Sequence, residues 1–428
     1  MGTLKISIVA DCHLNKAVYK GVMDAESPDL PFRTADFMKS FSYIVSENVN
    51  KIKPDLFVIA GDVFDTFDPS NDVRGFFNSQ LRELSEAKIP TIILVGNHDV
   101  CKKHHALRPI AKLQLKNIKV IENPQIIEFR DKLLLLFPYS LEVEQGKILI
   151  RDQFYSFLKQ VEEKIKEKPE LAVKEKIFFG HFGVKGAIMN KYVEVSDEKL
   201  VTATTTTQKK KNYYNNDDGD ININDLDEID AKYVFLGDFH QFQVLPTKKN
   251  IAMYCGSIER TDMTEIDQKK GFIVYDDSAN EVANMGKCKF IEYPSCRPMI
   301  ELRGNIKEIG EALDSLPNNL ASAIVKISFV GNNNELMDFS LRLEETKRKI
   351  RQKINPIHMF GEQKVIDEEQ EKEAAEIETS LVEKGHIDEV VVLGTINDMI
   401  REKESSKEEQ DILIKMSGDI YKEATEAK

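Results

Sequence analysis

Thr91-Ile92-Ile93-Leu94-Val95-Gly96-Asn97-His98-Asp99 is the stretch on which the reading of this chain turns. A short apolar run, Thr91–Val95, reads as a buried strand and ends on a glycine and three polar groups. In an α/β protein the carboxyl ends of the strands open onto one crevice, so polar side chains placed there converge. The same arrangement recurs four more times. Leu4–Ala10 precedes Asp11-Cys12-His13, and Leu56–Ala60 precedes Gly61-Asp62-Val63-Phe64-Asp65. Lys176–Phe179 precedes Gly180-His181-Phe182, and Tyr233–Leu236 precedes Gly237-Asp238-Phe239-His240. A single Gly-Asp or Gly-His at a strand end is an ordinary polar turn. Five in one chain, holding four of its eight histidines, point instead to a metal site.

Between these strands lie helical patterns. Residues 34–49 place Phe37, Met38, Phe41, Ile44, Val45 and Val49 at helical spacing; residues 72–87 and 152–167 show the same periodicity. Strands alternating with such helices predict an α/β layered domain over residues 1–296. The later runs Tyr233–Leu236, Ile251–Tyr254, Gly271–Tyr275 and Phe290–Tyr293 have hairpin-like spacing and predict a second sheet. Residues 202–224 are polar and low in complexity, which predicts a mobile insertion. Lys209–Lys211 and Tyr213-Tyr214 could touch nucleic acid there, but a solvated loop is the simpler reading. A boundary falls at Cys296-Arg297-Pro298. A small β-α-β-α domain follows at residues 297–360, with Ala323–Val330 as a strand and Glu335–Ile354 as a helix. Residues 361–380 read as an acidic linker, and residues 381–428 as a helical module.

Length and composition set outer limits. The chain has 428 residues, 41% hydrophobic and 31% charged, enough for two or three domains with a substantial core. Apolar runs fall short of a membrane span, and the amino terminus carries no signal-peptide pattern, so no membrane partner is expected and a cytoplasmic protein is. Five widely spaced cysteines without Cys-x-x-Cys suit free thiols in a reducing compartment. The net charge of −13 argues against general affinity for polyanions. Local basic clusters at Lys102-Lys103, Lys248-Lys249 and Lys347–Arg351 stand against that background.

The chemistry of the motifs follows from their donors. Asp11 and His13 lie two apart, so on an extended strand end they share a face and offer one cation an oxygen and a nitrogen. Asp62 follows a glycine that permits close approach, and its two oxygens can bridge two cations. Asn97 adds a neutral oxygen; His181 and His240 add imidazoles. Such mixed nitrogen and oxygen donors suit manganese, iron or zinc. Two such ions form the clamp used for displacement at phosphorus. His98, beside Asn97, is placed to protonate a leaving oxygen or to touch the phosphate.

Asp-x-His, Gly-Asp-x-x-Asp, Gly-Asn-His-Asp, Gly-His and Gly-x-x-His in this order resemble the calcineurin-like metallophosphoesterase superfamily. Tyr254-Cys255-Gly256-Ser257-Ile258-Glu259-Arg260-Thr261, followed by Lys270-Gly271-Phe272, resembles a segment of the SbcD/Mre-type DNA repair nucleases. The resemblance implies a four-layer β-sandwich flanked by helices, with residues 297–360 as a DNA-binding capping domain. It implies one metal held by Asp11, His13, Asp62 and His240, a second by Asp62, Asn97, His181 and residue 238, and His98 as the catalytic histidine. It also implies two divalent ions, most readily manganese, and homodimerisation through Phe76, Phe77 and Lys103–Leu113. An SbcC-like SMC-family ATPase would bind at residues 381–428. Separately, the high Lys and Asn content and the insertion-bearing form fit a protein of a bacterial or phage-infected cell. The implied activity is a 3′-to-5′ exonuclease on duplex DNA and an endonuclease on single strands. One position departs from the pattern: the usual Gly-His-x-His is Gly237-Asp238-Phe239-His240 in this chain, and Asp238 would harden the second site. Two other readings share the motifs. One is a phosphoesterase for nucleotides or phosphoproteins; the other is a metal-free scaffold, against which the near-complete donor set argues.

Overall fold

The computed structural model describes residues 3–19, 21–25, 27–113, 116–193, 210–213, 221–317, 320–331, 336 and 338–365. Most of the linker expected at 361–380, and the module expected at 381–428, lie outside the described residues, as do 194–209 and 214–220 of the region around the insertion.

The strands, in chain order, are β1 Lys5–Val9, β2 Leu56–Ala60, β3 Thr91–Leu94, β4 Ile118–Ile121, β5 Gln125–Phe129 and β6 Lys132–Phe137. Then come β7 Glu175–His181, β8 Tyr233–Gly237, β9 Gln243–Val244, β10 Ile251–Tyr254, β11 Gly271–Asp276 and β12 Cys288–Glu292. They form two six-stranded sheets, β12-β11-β1-β2-β3-β4 and β9-β10-β8-β7-β6-β5. Helices α1 Phe32–Glu47, α2 Asn71–Glu86 and α3 Ile150–Glu167 carry the expected apolar stripes. Their ends fall within two residues of the 34–49, 72–87 and 152–167 periodicities.

Both faces of the central strands are covered, which is why they read as unbroken apolar runs. In β2, Leu56, Val58 and Ala60 face the opposite sheet with Leu134, Ile177, Phe179 and Phe235. Phe57 and Ile59 point the other way, onto Phe41, Phe77 and Leu81 of the first two helices. The second sheet repeats this, with Leu135 and Phe178 against Phe154, Phe157 and Val161 of α3. The result is helix, sheet, sheet, helix, the expected four layers.

Two expectations shift. β11 and β12 do not extend the second sheet; β11 pairs antiparallel with β1, returning the chain to the first. Hairpin-like spacing reports that strands are present, not which edge they join. Within 202–224, Ile221-Asn222 pairs with Val184-Lys185, and Ile223–Leu226 is a helical turn with Leu226 fully buried. Lys210–Tyr213 pairs with Ile188–Val193.

Past Arg297, β13 Met299–Gly304, α4 Ile306–Ser315, β14 Ile324–Gly331, α5 Phe339–Ile354 and β15 His358–Val365 follow. The three strands form one sheet, so a third strand follows the expected β-α-β-α and takes up the first residues of the expected linker. Residues 1–329 and 338–363 form one compact unit; 330–337 and 364–428 form another, of which only Val330, Gly331, Leu336, Lys364 and Val365 are described. In the first unit Phe32 packs with Met299 and Ile324. There Arg297 grips both carboxylate oxygens of Asp36 at 2.5 Å and lies 5.3 Å from the Phe32 ring centre. Phe77, a residue named for the dimer face, is fully buried in the helix–sheet core, and Leu107 with it. Among the described residues no helix is long and apolar enough to cross a membrane.

Candidate metal centre

All five motifs meet at the carboxyl ends of β1, β2, β3, β7 and β8. β1 stops at Val9, after which Asp11 and His13 adopt φ of 49° and 39°. They are therefore not on an extended strand, as the two-residue spacing suggested. Backbone bonds from Asp11 N–H to Gly61 O (3.2 Å) and His13 N–H to Asp62 O (3.1 Å) tie the two turns together. Asp62 is also left-handed, at φ 49°. Asp and His enter that region more readily than most side chains, because short polar groups hydrogen-bond locally. Gly61, at φ 93°, is required twice over: a Cβ there would strike the His181 ring.

Three groups of side chains bring their donor atoms within ligand distance of one another: Asp11, His13 and His240; His13, Asp62 and His98; and Asp11, Asp62 and His181. His13 Nε2 is 2.9 Å from His240 Nε2 and 3.8 Å from Asp62 Oδ2. His181 Nε2 is 2.8 Å from Asn97 Oδ1 and 3.3 Å from Asp62 Oδ1. Asp62 thus lies between the two halves, as a bridging carboxylate would. Asp238 contributes its backbone N–H to Asp11 Oδ1 at 2.9 Å and sits at φ 107°, strained for a residue with a Cβ. Its carboxylate falls in none of the three groups. His98 is exposed; its backbone N–H donates to Asp62 Oδ1 (2.9 Å), its Nδ1 lies 3.0 Å from Asp65 O, and its ring meets His13 edge-on at 4.9 Å. Its grouping with His13 and Asp62 puts it as close to ligands as a ligand would be.

The site is short of hydrogen-bond donors. His181 Nδ1 is 2.8 Å from Ala60 O, and donating there leaves Nε2 with a lone pair facing two oxygens. His240 Nδ1 is likewise 2.9 Å from Glu265 Oε1, so its Nε2 lone pair faces His13. Asp11 Oδ2 is buried with no hydrogen-bond partner. Acceptors facing acceptors out of water are costly unless protons or cations lie among them.

Without cations, protons take that place. Burial opposes charge on His181, but the Asp62 carboxylate and its hydrogen bond, with Asp11 and Asp238 beyond, raise it to about 10. Burial pushes Asp62 up, yet His181, His13 and His98 together hold it well below the carboxylate range. Asp238 rises to about 6, through burial and the neighbouring Asp62 and Asp11 against the pull of His181 and His240. His13 is lowered, mainly by burial.

Three residues that shape the site received no role from the sequence: Asp99 and Lys270, which lie in the quoted stretches, and Glu265, which lies in none. Asp99 accepts the backbone N–H groups of Val63, Phe64 and Gly96 and so shapes the loops carrying Asp62 and Asn97. Burial and the nearby Asp62 raise it to about 7. Glu265 and Lys270 stand behind His240, the lysine ammonium 2.8 Å from the glutamate. Burial of Glu265 beside His240 would have been the signal, and sequence spacing does not carry it.

The family described as calcineurin-like phosphoesterase matches residues 4–242. The chain is 23% identical over 317 residues to the SbcD component of the nuclease SbcCD from Staphylococcus epidermidis, covering 72% of this chain and 74% of that protein. It is 31% identical over 132 residues to the DNA double-strand break repair protein Mre11 of Sulfurisphaera tokodaii, spanning 31% of this chain and 30% of that one. A crystal structure of TT1561 of Thermus thermophilus overlays with a TM-score of 0.35 at 11% identity, over 68% of this chain and 99% of its own.

Proposed function

The chain belongs to the calcineurin-like phosphoesterase family, and from that premise we propose that it is a two-metal DNA nuclease, with manganese as its preferred ion. One observation carries the reading: metal-ligating atoms of Asp11, His13, Asp62, His181 and His240, with Asn97 Oδ1 beside them, converge within a few ångströms, and Asp11 Oδ2 is buried among them with no hydrogen-bond partner. That is a cradle for cations. Asp11, His13, Asp62 and His240 would hold one ion; Asp62, Asn97 and His181, with Asp238 alongside, would hold the other. When bound, the pair supplies positive charge at a phosphoryl group and a water that is easier to deprotonate.

The chain's own residues do the rest. Asp62 fixes the spacing of the two halves. His98, exposed beside the ligands with Nδ1 3.0 Å from the Asp65 carbonyl oxygen, is the residue we assign to give a proton to the leaving oxygen. His13 stays neutral because burial disfavours its charged form, so its lone pair remains available.

Similarity over 74% of a known nuclease component supports DNA over nucleotides or phosphoproteins as the substrate. We extend the proposal to a 3′-to-5′ exonuclease on duplex ends and an endonuclease on single strands. Residues 297–360 would act as the DNA-facing cap, and an SMC-like ATPase would dock through residues 381–428. A homodimer would be formed through surfaces near α2 other than Phe77. The test is release of nucleotides from labelled duplex and single-stranded DNA by the full chain with manganese. Loss of release with chelator and in Asp62→Asn is the expected outcome. Hydrolysis of a chromogenic phosphoester with no cleavage of either DNA would overturn the nuclease reading.

A further inference from the structure

Within the segment 256–270 a set of polar residues is buried while Asp262, Thr264, Asp267 and Lys269 are exposed. Ser257 and Glu259 are buried, and so are Thr261, Glu265 and Lys270. The bonds of Thr261, Glu265 and Lys270 converge on one metal-site histidine. Glu265 Oε1 is 2.9 Å from His240 Nδ1 and accepts the Thr261 hydroxyl at 2.7 Å; Oε2 accepts the Thr261 backbone N–H at 2.7 Å and pairs with Lys270 Nζ at 2.8 Å. Both carboxylate oxygens are saturated by donors. Lys270 also donates to the His240 carbonyl (2.9 Å), Ser257 Oγ (2.8 Å) and Gln268 Oε1 (2.8 Å).

Resting on the metal-centre reading above, we propose that Glu265 and Lys270 are positioning residues for His240. Glu265 holds the ring in the tautomer with Nδ1 protonated and Nε2 bare toward Asp11 and His13. Lys270 clamps the two ends of this arrangement, the glutamate and the His240 backbone, with one ammonium. An imidazole backed by a carboxylate is a stronger and better-aimed ligand. The arrangement is asymmetric: His181 is backed only by the neutral Ala60 carbonyl. The ion on the His13/His240 side therefore depends on a charge that the other ion does not use.

The experiment loads the full-length wild type and Glu265→Gln with manganese(II), follows stoichiometry by titration, and records the electron spin resonance spectrum. Two ions sharing Asp62 give a spin-coupled signal; one ion gives an uncoupled six-line signal. The wild type should show the coupled signal. Glu265→Gln should keep one ion at wild-type affinity, lose roughly 10- to 100-fold on the other, and show the six-line signal at equal loading. The melting temperature of the metal-free protein reports whether the variant folds. If it does not, Thr261→Val, which removes only the hydroxyl touching Glu265 and His240, carries the same test with a several-fold weakening. A folded variant with two unchanged affinities and the coupled signal would overturn the proposal. A wild type that never takes two ions would instead overturn the dinuclear reading on which it rests.

Discussion

Filling the centre should expel protons. In the metal-free chain His181 carries a proton on Nε2, held between Asp62 and Asn97, and its pKa of about 10 keeps it there at neutral pH. A cation on that side needs the same lone pair. Binding therefore displaces the His181 proton at pH 7, and a share from His240, which against the pull of burial is raised by Glu265 and Asp11, and from Asp238, whose pKa is about 6. One displaced proton makes the apparent affinity rise roughly tenfold per pH unit, about 1.4 kcal/mol each. The sign for stability runs with it. His181 is raised above its ordinary 6.5, so its pairing stabilises the metal-free fold fully below that value and loses hold as pH climbs toward about 10. The gap in melting temperature between loaded and metal-free protein should accordingly widen from pH 6.5 to 8. Calorimetric titration with manganese in two buffers of different ionisation enthalpy counts the protons directly. Zero release, with affinity flat across that range, would refute the assignment of His181 as a ligand.

Other outcomes test the remaining parts. His98→Gln should lower DNA cleavage by roughly 10²- to 10⁴-fold with manganese stoichiometry unchanged; loss of an ion in the same titration would reassign His98 as a ligand. Asp238→Asn should shift the ratio of rates on a chromogenic phosphodiester and the corresponding monoester toward the monoester; an unchanged ratio removes Asp238 from substrate selection. Arg297→Ala should cost about 1–3 kcal/mol in denaturant unfolding, because Asp36 loses a bidentate partner but keeps the buried Arg33 guanidinium, which donates to its Oδ2. A loss under 1 kcal/mol would mean that Arg33 alone satisfies that carboxylate.

What the sequence reveals and what it hides divide along physical lines. Apolar runs ending in Asp, Asn or His are local, and so β1, β2, β3, β7 and β8 and the residues at their ends could be read directly. The helical stripes of α1, α2 and α3 are local as well. Strand partners are not: β11 joins β1 across more than 260 residues of chain, and no periodicity encodes that. Backbone handedness was hidden too. Asp11 and His13 converge through left-handed turns, a geometry that their spacing on an ideal strand does not suggest. Glu265 and Lys270 sit in a polar stretch, Thr261–Lys270, in which exposed Asp262, Thr264, Asp267 and Lys269 alternate with them, so nothing local marks those two as buried.

Asp238 shows why a departure from pattern need not mean loss of function. With neutral histidines, three carboxylates (Asp11, Asp62 and Asp238) against two divalent cations leave one net positive charge. A phosphodiester carries one negative charge and a phosphomonoester close to two, so under the proposed two-metal function the centre would match the diester. A histidine at 238 would leave a further positive charge and relax that match. Asp238 exerts this effect through its charge, whether or not its carboxylate reaches an ion, because burial keeps the local dielectric low. Its pKa of about 6 follows from the same crowding of carboxylates, and a dication nearby would restore its ionised form. The strained backbone at φ 107° serves the neighbouring atoms, turning the Asp238 N–H onto Asp11 Oδ1 and leaving Oδ2 for the ion. The amide would make that bond with any side chain at 238, so the charge is what the substitution to Asn removes, and substrate preference is where its removal should register.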